Sequence, residues 1–66
     1  MTFYDFDDRL IAIDANGTKG AAWSSSGEWK PVSRSFAGQV WVEGEKLTKS
    51  AAAKRFPKAD LEAVAA

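Results

Sequence analysis

Residues 9–14 read Arg-Leu-Ile-Ala-Ile-Asp, four consecutive apolar residues held between two charged ones. A strand with one face in water alternates apolar and polar residues, whereas a strand covered on both faces is continuously apolar. Residues 10–13 therefore predict a short strand at the centre of the fold, with protein packed against each of its faces.

The segments on either side of this run predict further strands. Aromatic and acidic residues alternate over residues 4–7, which is typical of a half-buried strand, either continuous with the central one or joined to it through Asp7-Asp8. After the central strand, the two glycines of residues 16–20 indicate a loop that closes a hairpin into residues 21–24.

Two more extended segments follow in the middle of the chain. Residues 25–28 predict a turn and residues 29–33 a strand, which should lie at an edge because Pro31 cannot donate to a ladder. Residues 36–43 also read as a strand, followed by a turn at Gly44-Glu45. This strand would have two faces, Phe36, Gly38, Val40 and Val42 on one and Ala37, Gln39, Trp41 and Glu43 on the other.

The last third of the chain predicts helix. Thr48 is a suitable N-cap, three alanines follow it, and Pro57 should end the helix near Phe56. Residues 58–64 predict a second short helical turn. We expect this segment to cover Leu10 and Ala12, with Trp41 beneath it, through apolar contacts of Leu47, Ala51, Phe56, Leu61 and Val64.

The predicted fold class is α+β. A small antiparallel β-meander of three to five strands is followed by a C-terminal helix packed on one face of the sheet. The 66 residues allow one domain, with residues 1–46 mainly β and residues 47–66 mainly α.

Composition argues against catalysis. The chain has no cysteine and no histidine, which removes disulfides, thiolate metal sites, the commonest zinc ligand and the commonest general base. Its serines have no activating base, and a domain this small can hardly enclose two carboxylates in a cleft. We therefore expect no enzyme activity, no cofactor and no bound metal.

Charge and hydropathy argue against several partners. Nine basic and nine acidic residues balance, which disfavours duplex DNA and anionic membranes. No apolar run reaches the roughly 20 residues of a membrane span, and the acidic N-terminus lacks the features of a signal peptide. We expect a soluble protein in the cytoplasm.

Three tryptophans within nineteen residues are the strongest functional signal, because indole rings anchor protein partners and stack on bases. The same rings can equally form the core of so small a domain. We expect a non-catalytic protein-interaction or self-assembly module; the alternative is single-stranded nucleic-acid binding through tryptophan platforms with flanking cations. The candidate partner-binding residues are Trp23, Trp29, Lys30, Arg34 and Trp41.

Two surfaces are candidates for docking. Trp29 lies beside Pro31 on an expected edge strand, where a partner strand or a second copy could add to the sheet. The N-terminal strip of Phe3, Tyr4 and Phe6 is the second candidate.

Overall fold

The computed structural model describes residues 1–65. Five antiparallel strands form one sheet in the order β4-β3-β2-β1-β5: β1 Thr2–Phe6, β2 Arg9–Ile13, β3 Gly20–Trp23, β4 Trp29–Pro31 and β5 Glu45–Leu47. Three helices accompany them: α1 Arg34–Glu43 between β4 and β5, then α2 Lys49–Arg55 and α3 Leu61–Ala65. The predicted α+β class is confirmed, and β1 to β4 form the meander.

Strand β2 is buried on both faces, as its continuous apolar run predicts. Leu10 and Ala12 point to the side that α2 and α3 cover, and Ile11 and Ile13 point to the side that α1 covers. All four side chains are excluded from water, with at most 1% exposed. The sheet therefore has two cores, one on each side.

The C-terminal helices form the first core with the sheet. The Thr48 hydroxyl accepts a hydrogen bond from the Ala51 N–H at 3.0 Å, so the predicted N-cap is confirmed. Helix α2 ends at Arg55, just before Phe56 and Pro57. The predicted apolar contacts are also confirmed in this cluster, which includes Leu47, Ala51, Phe56, Leu61 and Val64.

The prediction of a strand over residues 36–43 is wrong, because these residues belong to helix α1. The two valines and the tryptophan favour strands, and Gly38 lowers helix propensity. Tertiary packing outweighs these preferences, since Ala37 and Val40, three residues apart, share the helix face that covers Ile11 and Ile13.

Two details change with this correction. Trp41 does not lie beneath the C-terminal helix; it lies on α1, on the other side of the sheet, and is 49% exposed. Gly44 ends α1 by donating its N–H to the Val40 carbonyl at 2.6 Å, and Glu45 then begins β5, an edge strand that pairs with β1. The sequence pattern predicted no strand there.

Tight turns set the register of the meander. Asp7 and Asp8 both have positive φ, 55° and 63°, as in the type I′ turns that join antiparallel strands. Of the two predicted alternatives, β1 and β2 are therefore separate strands joined through Asp7-Asp8. The hairpin loop after β2 and the turn after β3 are likewise confirmed, with positive φ at Gly17 and Gly27.

Helix α1 depends on a single capping side chain. The Ser33 hydroxyl accepts a hydrogen bond from the Phe36 N–H at 3.1 Å, and the first turn carries no acidic residue to assist it. We predict that Ser33→Ala lowers the free energy of unfolding by about 1 kcal/mol, measured by urea denaturation.

Ser35→Ala is the matched control. Ser35 is exposed inside the helix, where alanine is the better helix former, so this variant should be as stable as the parent or slightly more stable. Equal losses in the two variants would contradict the capping role of Ser33.

Candidate functional site

The structure divides the candidate residues between the two sides of the sheet. Trp23 and Trp29 lie on the side covered by α2 and α3. Lys30 pairs with Ala22, which packs under α1, so Lys30 lies on the α1 side, and Arg34 and Trp41 belong to α1 itself. Trp23 and Trp29 are thus brought together, and Trp41 is separated from them by the sheet.

Trp23 and Trp29 form a cross-strand pair. They stand directly opposite each other on β3 and β4, with ring centroids 5.4 Å apart and ring planes at 67°. Trp29 is held further by the Phe3 ring at 6.4 Å, and its Nε1–H donates to the Asp60 carbonyl at 2.7 Å. Trp29 is therefore a fixed part of the core boundary that ties α3 to the sheet, and it supports the Trp23 ring from one side.

A shallow groove lies beside Trp23. It has a volume of about 280 Å³ and is lined by Trp23 and by residues 55–59, Arg-Phe-Pro-Lys-Ala. Within residues 1–65 the Trp23 Nε1–H has no protein acceptor, and no unpartnered side-chain nitrogen or oxygen there is buried.

The two cations of the groove differ in how they are held. Arg55 donates to Glu45 at 2.9 and 3.2 Å and to Asp5 at 3.0 Å, which joins α2 to both β5 and β1. These hydrogen bonds, first to Glu45 and then to Asp5, raise the pKa of Arg55 above its ordinary value. Lys58 is exposed and forms no ion pair within the described residues.

The free edge of β4 is a poor acceptor for another strand. Hydrogen bonds flank its pairing with β3, from Ser24 to the Glu28 carbonyl and from Val32 to the Gly20 carbonyl. Because bonded and non-bonded pairs alternate in antiparallel sheets, the backbone groups of Trp29 and Pro31 face outward. Proline has no N–H, so only one donor is presented along this edge, which disfavours strand addition.

Helix α1 presents an unusual outer surface. Val42 is 80% exposed and the neighbouring Trp41 49% exposed, which makes them two of the three exposed large apolar side chains in the described chain. Between residues 35 and 42 the helix carries no charge, and its only charges stand at the ends, Arg34 and Glu43. Surface helices ordinarily carry charged and polar residues on the solvent side.

Trp41 lies across the backbone of Gly17. Gly17 has φ +70° and is buried, although it belongs to a hairpin loop. A Cβ atom at this position would come within 2.5 Å of Trp41 Cε3. Glycine at residue 17 therefore serves two purposes, since it permits the left-handed backbone and leaves room for the indole ring.

The Asp14 side chain organises the loop that carries Gly17. Its carboxylate accepts hydrogen bonds from the Thr18 N–H at 3.0 Å, the Lys19 N–H at 3.3 Å and the Thr18 hydroxyl at 3.3 Å. The hydrogen bond from the Thr18 N–H is the main cause that lowers the pKa of Asp14 below its ordinary value.

The N-terminal aromatic strip is not a docking surface. Phe3 and Tyr4 are each 5% exposed and belong to opposite cores. Phe6 packs edge-to-face against Phe36, with the Arg9 guanidinium 5.6 Å from the centre of the Phe36 ring.

Val42 is the exposed residue that the sequence pattern missed, because that pattern placed it inside a strand. The signal that could have revealed it is Ser33, a suitable N-cap for a helix over the residues that follow.

Within residues 1–65, no three histidine, cysteine or acidic side chains converge as metal ligands. None of the helices in this part of the chain has the length and apolar character needed to cross a membrane. Comparison with protein-family models, curated proteins and solved structures finds no match to this chain.

The contact between Gly17 and Trp41 yields a prediction about stability. Gly17→Ala should lower the free energy of unfolding by about 2–3 kcal/mol, because it adds both backbone strain and a clash with the indole. Gly27→Ala is the matched control, since Gly27 also has positive φ but nothing within 4 Å of a Cβ. Gly27→Ala adds only the backbone strain, so it should lower the free energy of unfolding by about 1 kcal/mol.

Urea denaturation of Gly17→Ala, Trp41→Ala and the double variant measures the clash separately. Removing the indole should relieve most of the excess cost of Gly17→Ala over Gly27→Ala. Strictly additive losses would contradict the contact.

Asp14 yields a prediction about pH. A carboxyl group with a lowered pKa in the folded state stabilises the protein above its unfolded-state pKa, ordinarily 3.8, and this stabilisation is lost as pH falls through the folded-state value. We expect Asp14→Asn to be less stable than the parent at pH 6, with the difference shrinking below about pH 3.5. Thermal unfolding at a series of pH values tests this; a constant difference across the series would contradict it.

Proposed function

We propose that this protein is a non-catalytic interaction module that assembles with a second copy of itself through the outer surface of α1. The uncharged stretch of α1, with Trp41 and Val42 exposed at one end, is the observation that carries the proposal. Helix–helix contacts bury surfaces that are free of charge, because an unpaired charge is costly to remove from water.

The end charges of α1 favour an antiparallel arrangement of the two copies. Arg34 lies at the positive end of the helix dipole and Glu43 at the negative end, so each is unfavourable within its own helix. When two copies pair in antiparallel orientation, Arg34 of each lies at the same level along the pair as Glu43 of the other. The two side chains stand on opposite flanks of the helices, because nine residues make about two and a half turns, so their attraction is a long-range one.

The small residues of the helix suit the same arrangement. A two-fold axis between Gly38 and Gln39 sets Ser35 opposite Val42, since these two residues are about two turns apart and share the outer face of the helix. A Cβ at Gly38 would have no neighbour within 4 Å, so the helix surface is open at the axis. The absence of a side chain there lets the backbones of two helices approach closely.

The size of the surface points to reversible association. Weak specific interfaces bury about 600 Å² on each partner or less, and the accessible surface of the protein totals 4294 Å². The proposed interface consists of one ten-residue helix with its flanking loop, so we expect it to belong to this class. We therefore expect monomer and dimer to exchange at micromolar concentrations.

Single-stranded nucleic acid remains the alternative occupant of the tryptophan surfaces. Such binding uses successive aromatic platforms along one basic groove. Trp29 is fixed between Trp23 and Phe3, and Trp41 lies on the far side of the sheet from both. This separation favours a protein partner, and salt dependence distinguishes the two, since nucleic-acid binding weakens steeply as salt rises.

The antiparallel arrangement predicts a specific pattern of charge reversal. Arg34→Glu replaces the attraction at each end of the pair by repulsion between acidic residues and Glu43→Arg by repulsion between basic residues, so each variant alone should self-associate more weakly than the parent. Mixing the two variants restores both opposite-charge pairs, so the mixture should form a heterodimer. Sedimentation-velocity ultracentrifugation of each variant, the mixture and the parent protein measures this.

The exposed ion pair between Lys49 and Glu62, on the opposite side of the sheet, provides the control. Lys49→Glu and Glu62→Lys make the same changes of charge and should self-associate as the parent does. A parent protein that stays monomeric, or variants at residues 34 and 43 that alone self-associate as strongly as the parent, would contradict the proposal.

A further inference from the structure

We propose that Asn16 is a site of spontaneous deamidation, and that the packing of Trp41 on Gly17 keeps this reaction slow in the folded protein. Asn16 is the only asparagine of the chain, and Gly17 follows it directly. Asparagine is a chemically labile residue, and a glycine after it leaves the attack on its side chain unhindered. The proposal concerns a covalent change in the loop between β2 and β3, so it does not rest on self-association.

The reaction needs only groups of this loop and water. The backbone nitrogen of Gly17 loses its proton to hydroxide and attacks Cγ of Asn16, and the new N–Cγ bond closes a cyclic succinimide. The Cγ–Nδ2 bond breaks, and Nδ2 leaves as ammonia after taking a proton from water, which regenerates the hydroxide. A further water molecule then opens the ring at either carbonyl and leaves aspartate or isoaspartate at residue 16.

The structure exposes one of the reacting residues and holds the other. Asn16 is exposed, whereas Gly17 is buried. The Gly17 N–H donates to the Asp14 carbonyl at 3.2 Å, and the Trp41 ring lies so close that a Cβ on Gly17 would be 2.5 Å from its Cε3. A nitrogen that is hydrogen-bonded and covered must be released before it can lose its proton and approach Cγ.

The backbone that follows Gly17 is fixed as well. The Asp14 carboxylate accepts hydrogen bonds from the N–H groups of Thr18 and Lys19, at 3.0 and 3.3 Å. Closure of the succinimide requires the chain to rotate at Asn16 and Gly17, so the loop must first open. The rate of deamidation therefore follows the population of the open loop, which these contacts keep small.

An isoaspartate at residue 16 changes the loop permanently. Its main chain passes through Cβ, which lengthens the path between Asp14 and Gly17 by a carbon atom. Its carboxylate also adds a negative charge close to that of Asp14, and like charges repel. The modified loop can no longer hold Gly17 in place beneath Trp41, so the reaction releases the indole ring that the native loop supports.

The test measures the rate of deamidation by mass spectrometry of the intact protein and of its peptides, at mildly alkaline pH and high dilution. The reference is the free peptide acetyl-Asp-Ala-Asn-Gly-Thr-Lys-amide, which has the sequence of residues 14–19. We expect the folded protein to react roughly tenfold more slowly than this peptide, and the protein unfolded in urea to react as fast as the peptide. Asn16→Gln should show no conversion in the same time, because the longer side chain closes a ring far more slowly.

Substitutions assign the protection to the two contacts. Trp41→Ala and Asp14→Ala should each react about threefold to fivefold faster than the parent while still folded. Val42→Ala is the matched control for Trp41→Ala, because Val42 is the exposed apolar neighbour on the same helix, and it should react as slowly as the parent. Gly27→Ala, in the turn between β3 and β4, controls for a general loss of stability, and the far-ultraviolet spectrum of each variant checks its fold.

Equal rates in the folded protein and the free peptide would overturn the proposal, as would a Trp41→Ala variant that reacts no faster than Val42→Ala. Acceleration of both control variants to the same extent would assign the protection to global stability instead of the loop, and would overturn it too. Because the rates are measured at a dilution that keeps the protein monomeric, failure of this proposal and failure of self-association are distinguishable.

Discussion

Burial of β2 on both faces is the constraint on which the rest of the structure depends. Its four apolar side chains point alternately to two sides of the sheet, and each side must be covered to keep water away from Leu10 and Ile11. The fold meets this requirement by inserting α1 between β4 and β5 and placing α2 and α3 at the end. Small side chains at the contacts, Ala37 on α1 and Ala52 on α2, let both layers lie close to the strand.

This constraint determines what remains on the outside. One face of helix α1 packs against Ile11 and Ile13. The face turned away from the sheet is uncharged, and Val42 and Trp41 are exposed. On the other side, α2 and α3 meet the tryptophan pair of β3 and β4, and the Phe56-Pro57 break between them leaves the groove. The uncharged outer surface of α1 and the groove beside Trp23 are therefore both consequences of the two-sided core.

The sequence predicted those parts of the fold whose signals are local. The apolar run of β2, the Thr48 cap, the stop at Pro57 and the edge position of Pro31 each rest on a few adjacent residues, and each is confirmed. The prediction for residues 36–43 failed because their alternation and their β-branched residues are compatible with a strand. The residues that pack against the sheet, Ala37 and Val40, are spaced as on one face of a helix. The need to cover Ile11 and Ile13 decided between the two, and that need is visible only in three dimensions.

The candidate site, too, could be predicted only in part from the sequence. Aromatic content singled out Trp23, Trp29 and Trp41, but strand pairing and helix formation place them on opposite sides of the sheet. Val42 became notable only when α1 was known to be a helix, and the pairing of Arg55 with Asp5 crosses fifty residues of chain. A sequence shows which residue types are present, whereas the fold decides which of them lie next to each other.

Antiparallel pairing of α1 between two copies is tested most directly by an isotope-filtered NMR experiment on a sample that mixes uniformly labelled with unlabelled protein. We predict contacts between the Val42 methyl groups of one copy and Ser35 of the other. Intermolecular contacts confined to other surfaces, or none at concentrations where sedimentation detects a dimer, would contradict it.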